Sequence, residues 1–170
     1  IISIVYFFGG NTMESFTISN TKTFMSNLLK GNIFDAFEVR SVSVRTFVSY
    51  EIDCKLNKEF FDLDTQAEFE EAGRKYCMWT DIKPFVFEII KGTQTPKDFK
   101  IVFSLPESIC MDISEDAAAL FVNIIYDGKE INCVTGCSDK NFSFDRTLDL
   151  IWDQYFSDFL YRKNIAFVSK

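Results

Sequence analysis

The 170-residue chain contains no histidine. That absence removes the usual general base, the commonest metal ligand and the usual pH switch. Every mechanism that pairs serine or cysteine with histidine inside one chain is excluded. Clustered basic residues are missing too. Eighteen Lys and Arg stand against 25 Asp and Glu, a net charge of −7. No local run of Lys and Arg marks a phosphate-binding surface, so the balance argues against nucleic acid and anionic lipid as partners. Long apolar runs are also absent. The opening IISIVYFFGGNT has an apolar run of eight residues with no basic flank, too short to span a bilayer and poor as a signal peptide. A cytoplasmic location away from membranes is the expectation.

Aromatic residues are abundant: 20 Phe, 6 Tyr and 2 Trp. Each buries a large area, so an aromatic-rich core is expected. Met13 opens MESFTIS like an ordinary start. Residues 1–12 are therefore expected to be an N-terminal extension, and 13–170 one α+β domain.

The five cysteines, at 54, 77, 110, 133 and 137, are odd in number, which favours reduced thiols. NCVTGC holds two of them. The stretch LFVNIIYDGKEINCVTG reads as a hairpin with Asp127-Gly128 at the centre of a two-residue turn. That turn pairs Tyr126 with Lys129, Ile124 with Ile131 and Val122 with Cys133. If the strand continues, Cys137 lies roughly 13 Å from Cys133, beyond reach of a disulfide or a shared tetrahedral metal. Gly136 is the residue that could bend or end it. Both thiols are expected to pack as small hydrophobes. In VSYEIDCKLN, alternation puts Val48, Tyr50, Ile52, Cys54 and Leu56 on the inner face of a half-buried strand.

Elsewhere, ESFTIS is a short strand with Phe16 and Ile18 inward. Asn20 or Thr21 caps a helix that Gly31 stops. In AFEVRSVSVRTF the apolar phase shifts from odd to even, which predicts a bulge near Arg40-Ser41. Thr65 and Glu68 form a capping box for a helix from about Gln66, which Gly73 ends or weakens. A second helix runs from Asp81, with Pro84 in its first turn and Ile82, Phe85, Val86, Ile89 and Ile90 inward. TPKDFKIVFSL is a strand with Phe99, Ile101, Phe103 and Leu105 in phase. FSF, at 142–144, is a further short strand. Leu148, Ile151, Trp152, Tyr155, Phe156, Phe159 and Leu160 form the stripe of a C-terminal helix beginning at Asp145 or Thr147.

Asp62 and Asp64, with Glu68, Glu70 and Glu71, are the densest acidic stretch and the candidate metal ligands for Mg²⁺ or Ca²⁺. The competing reading is acids at a helix N-terminus, where the macrodipole favours them. Asp139 and Asp145 bracket a second acidic loop. Lys91, Lys97 and Lys100 flank GTQTP, where a single Gly closes a helix and so makes no phosphate cradle. Trp79 and Trp152 lie in apolar periodic segments and read as core. No catalytic residue and no cofactor are assigned.

From Met13 onward the chain resembles an uncharacterised family of small bacterial proteins, a domain of unknown function. The stretches that carry the resemblance include SNLLKGNIFDAF, CKLNKEFFD, MWTDIKPFVFEIIKG, TPKDFKIVF, NIIYDGKEINCVTG and LDLIWDQYFSDFL. The family has no assigned activity, so the resemblance implies no functional residue.

The fold expected is α+β: a mainly antiparallel sheet with helices packed on it and a long C-terminal amphipathic helix. The order of elements is similar to half of a DNA sliding clamp, an analogy of fold alone. Three functions follow as expectations. The favoured one is a non-catalytic binding or protein-interaction module. The alternatives are a carboxylate- or divalent-metal-dependent enzyme and a clamp-like nucleic-acid accessory protein.

Overall fold

The computed structural model describes residues 14–141 and 145–170. The extension expected at 1–12 and the strand expected at 142–144 lie outside the described residues. The strands are β1 (Ser15–Ile18), β2 (Glu38–Arg45), β3 (Ser49–Asp53), β4 (Cys77–Met78), β5 (Asp98–Ser104), β6 (Ala117–Tyr126), β7 (Ile131–Asp139) and β8 (Phe167–Ser169). The helices are α1 (Thr21–Leu29), α2 (Leu63–Glu71), α3 (Trp79–Ile90), α4 (Glu107–Ile113) and α5 (Thr147–Arg162). All eight strands join one sheet in the order β3-β2-β5-β6-β7-β1-β8, with β4 also paired to β2. Every pairing is antiparallel, so the fold is α+β with helices on an antiparallel sheet.

Alternation assigns the faces. Val42 and Val44, Phe99, Ile101 and Phe103, Val122 and Ile124, and Ile131 and Cys133 are all buried. Helices cover this face. Phe103 stacks on Phe34 with ring centroids 5.0 Å apart and takes the edge of Trp79 at the same distance. Phe34 leads through Phe159 and Phe156 to Phe16 on β1. Such pairs add about 0.5–1.5 kcal/mol each beyond the area they bury, so the excess of phenylalanine serves the core.

The bulge predicted from the phase shift is present. Val39 faces Phe103 but Ser41 faces Val102, which leaves Arg40 as the extra residue. Both Val39 and Val42 are thereby buried on the helix side. The β6–β7 hairpin departs from expectation in register. Tyr126 pairs with Ile131, Ile124 with Cys133 and Val122 with Thr135. Asp127 N–H donates to Glu130 C=O, so Gly128 and Lys129 are the central turn residues. Only Gly128, at φ 95°, has a positive φ there. That is the II′ pattern, with glycine first. Asp127 holds it by accepting from the Lys129 and Glu130 N–H groups, each at 2.9 Å. Each partner moves by two residues, which preserves the buried face because side chains repeat every second residue. Gly136 neither bends nor ends β7. It sits opposite Phe121, whose ring would lie 2.4 Å from any added Cβ.

Two helix starts differ from the sequence reading. Asp62, not Thr65, caps α2, accepting from Thr65 N–H at 2.8 Å. At its other end Gly73, at φ 64°, donates to Glu70 C=O while Arg74 donates to Phe69 C=O. This is a Schellman stop. Helix α3 begins at Trp79, because Asp81 reaches back to accept from Met78 N–H at 2.9 Å. Pro84 is thus sixth in the helix, beyond the first turn, and Phe85 is 64% exposed where an inward side chain was expected. Strands β4 and β8 were not anticipated. They are two and three residues long, too short for periodicity to show. In α5 the expected stripe is buried at Leu148, Trp152, Phe156 and Leu160, whereas Ile151 faces solvent.

Candidate functional site

Helices α1 and α3 lie against each other. Trp79 donates its indole N–H to Leu28 C=O at 3.0 Å, and Lys83 Nζ reaches Gly31 C=O at 2.8 Å and Asp35 at 2.6 Å. Beside this tie is an open groove of about 600 Å³, continued by the 92–96 turn and the end of β6. Its lining is mostly apolar: Met25 and Leu29 from α1, Phe87 and Ile90 from α3, and Tyr126 from β6. Tyr126 stacks on buried Phe99, with centroids 5.3 Å apart, which fixes the end of that lining. All five are partly buried hydrophobic side chains that the core does not finish covering.

Three exposed lysines edge the groove: Lys22 and Lys30 on α1, and Lys91 just after α3. Lys30 Nζ lies 5.4 Å from the centre of the Phe87 ring. Lys91 pairs with Glu88 at 2.5 Å. Both arrangements are weak. An exposed cation–π contact is worth about 0.5–1 kcal/mol, and an exposed ion pair about 0.2–1 kcal/mol. A carboxylate arriving from outside can therefore recruit these lysines at little cost. The groove offers apolar contact along its floor and positive charge on its rim, in a chain whose net charge is −7.

The sequence reading found no cluster of basic residues, and along the chain none exists. The fold makes one, by laying positions 22, 30 and 91 around a common groove. Lys97 and Lys100 are exposed on and before β5; Lys97 lines a neighbouring cavity with Thr93 and Gln94. The GTQTP stretch, set aside as a phosphate cradle, turns out to wall the groove.

The acidic candidates are placed differently. Asp62 is the N-cap of α2, and its acceptance of the Thr65 N–H holds its carboxyl below the ordinary range. Asp64 is in the first turn of that helix. Asp139 and Asp145 line a cavity of about 290 Å³ together with Asp116. Asp145 accepts from the Thr147 N–H at 3.0 Å and hydroxyl at 2.6 Å, and these bonds lower its pKa. Among the described residues no three Cys, Asp or Glu side chains are grouped so as to hold a metal ion. Trp79 and Trp152 are fully buried, and Trp152 donates its indole N–H to Phe121 C=O at 2.9 Å. Cys133 is buried, and burial pushes its thiol up. Burial also raises Cys137, whose thiol lies 3.0 Å from Asp149 Oδ1.

One residue that sequence reasoning missed is Glu38. It is 5% exposed, opposite Ser104 on β5 and Met78 on β4. Burial pushes its carboxyl up to about 7, against the pull of Arg74, Arg40 and Lys75. Three buried polar atoms without a hydrogen-bond partner, Arg40 Nε, Arg74 Nε and Ser104 Oγ, belong to residues around it. Arg40 also lies over the rings of Tyr76 and Phe121. The only signal in the sequence was an acid between the apolar Phe37 and Val39 at the start of β2. The arrangement can hold or release a proton near neutrality.

Among the described residues no helix is long and apolar enough to cross a membrane. No curated protein and no solved structure matches the chain. Residues 27–168 match the family described as a family of unknown function (DUF5721), and the chain belongs to it.

Proposed function

We propose that this chain is a non-catalytic binding module that takes an acidic amphipathic segment of a partner protein in the groove between α1 and α3. The observation that carries the reading is the apolar floor edged by Lys22, Lys30 and Lys91. Helical partners dock in such grooves by apolar anchors at i, i+3, i+4 and i+7. Carboxylates flanking those anchors meet the lysine rim, and repulsion from the rest of an acidic surface disfavours other approaches. A volume of about 600 Å³ accommodates two or three such anchors. The odd number of cysteines suits reduced thiols, which supports a cytoplasmic place.

The test uses two labelled helical peptides with the same leucine face, one carrying Glu on its other positions and one carrying Lys. Anisotropy titration at low ionic strength should show saturable binding of the acidic peptide, weakening as salt rises. Equal binding of both peptides, or of neither, contradicts the proposal. Dodecanoate competing away the acidic peptide at equal or lower concentration would instead assign the groove to a small anionic lipid.

The enzyme reading finds its best-placed group in Glu38, where a proton is held near neutrality. Its metal-dependent form is tested by calorimetric titration of Mg²⁺ into wild type and an Asp62→Ala/Asp64→Ala double variant. Heat in the first that is lost in the second would favour it. The clamp reading rests on element order alone, and duplex DNA that causes no mobility shift at low ionic strength would remove it.

A further inference from the structure

Between Cys54 and Cys77 the chain leaves the sheet and returns. Strand β3 ends at Asp53, and β4 resumes the pairing with β2 at Cys77. The intervening residues 55–76 carry α2, and not one of them is buried. Phe60 and Leu63 are 85% and 80% exposed. This excursion is closed at its base by a short antiparallel contact. Lys55 bridges Tyr76, Leu56 N–H donates to Lys75 C=O, and Cys77 N–H donates to Cys54 C=O at 3.0 Å.

That register sets Cys54 directly opposite Cys77. Facing residues of an antiparallel pair stand about 4.5–5.5 Å apart at Cα. A disulfide accepts Cα separations of about 4.4–6.8 Å. Facing residues of an antiparallel pair project to the same side of the ladder, and the two cysteines line one pocket. Both line a small apolar pocket of about 190 Å³, together with Phe60, Phe61 and Ile82. Cys54 is buried and Cys77 is partly exposed. Cys133, by contrast, is fully buried.

We propose that Cys54 and Cys77 form a reversible dithiol–disulfide site that reacts with low-molecular-weight disulfides through Cys77 and clasps the base of the 55–76 excursion when oxidised. The roles follow from the surroundings. The neighbouring Cys54 thiol holds the Cys77 thiol below its ordinary range, and Arg74 assists, against burial and Asp81. Cys54 is pushed up by the neighbouring Cys77 thiol, by burial and by Asp53. The exposed thiol of lower pKa is the better nucleophile at neutral pH. The Cys77 thiolate attacks one sulfur of the small disulfide RSSR. A mixed disulfide forms and RS⁻ leaves, taking up the proton that Cys77 released. Cys54, losing its proton in turn, attacks the Cys77 sulfur and expels the second RS⁻ as RSH. Two protein thiols are oxidised and one RSSR is reduced to two RSH.

The experiment treats the folded full chain with excess 2-hydroxyethyl disulfide at neutral pH and follows intact mass, thiol count and non-reducing peptide maps. The expected result is a loss of two hydrogens, a fall of two from five free thiols, and one linked peptide joining 54 to 77. In Cys54→Ser the reaction should stop at a mixed disulfide on Cys77, and in Cys77→Ser labelling of Cys54 should slow at least tenfold. Oxidised wild type should also be cut several-fold more slowly by trypsin within 55–76, a difference that dithiothreitol reverses. The site is overturned if the folded protein keeps five thiols while the urea-unfolded chain reacts, if the link joins any other pair, or if Cys77→Ser leaves the Cys54 rate unchanged. The clasp is overturned if the link forms and trypsin cuts at the same rate.

Discussion

At the scale of single residues, Glu38 and Trp152 make opposite demands on the fold. Trp152 is fully buried and satisfies its one polar atom on the Phe121 carbonyl. Trp152→Ala removes the ring and leaves that carbonyl without its donor, so the cost should be about 3–5 kcal/mol. Chemical denaturation reads it directly, and a midpoint equal to wild type would show that the indole is not core. Glu38 is buried at a cost. Its carboxyl titrates at about 7 in the fold, against an ordinary value of 4.5. Between those values the folded chain binds more protons than the unfolded one, so stability falls as pH rises through that window. At about 1.4 kcal/mol per pKa unit, the loss should be on the order of 2–3 kcal/mol. Glu38→Gln should flatten the stability profile between about pH 4.5 and 7. An unchanged slope in that variant would mean Glu38 is paired and ionised throughout.

At the scale of elements, local chemistry decided more than packing wherever the sequence could be read. The bulge at Arg40 was legible because two hydrophobic phases cannot share one strand face without an extra residue. The strand phases of β5 and β7 were legible for the same reason. The turn at Gly128 was legible as a turn but not as a type, since Asp-Gly suits I′ with Asp first and II′ with Gly first equally well in composition. The start of α2 was misread because Thr65 and Glu68 fit a capping box, while Asp62 fits a single cap three residues earlier; both satisfy the rule, and the observed bond goes to Asp62. That cap yields a prediction confined to its element. Because α2 buries no residue, Asp62→Ala should loosen it without unfolding the sheet. Amide exchange at Thr65 and Gln66 should rise roughly fivefold, matching about 1 kcal/mol of lost capping. A fall in global stability of that size would show instead that α2 unfolds together with the core.

At the scale of the whole molecule, an acidic chain gathers three of its lysines around an apolar groove. None of this could be read along the sequence. Lys22, Lys30 and Lys91 belong to separate segments, and only the contact of α1 with α3 brings them together. Met25, Leu29 and Ile90 read as core, and they do pack against it, but they stay partly exposed where they line the groove. The sequence therefore marked the material of the site and not its location. The most direct measurement is the chemical-shift map of the full chain as the acidic leucine-faced peptide is added. The account predicts saturable shifts concentrated at Met25, Leu29, Phe87, Ile90 and Tyr126, lost at least tenfold in affinity for Lys22→Glu/Lys30→Glu with stability unchanged. Shifts centred instead on the sheet edges at β3 and β8, or a charge-reversed variant that binds as wild type does, would contradict it.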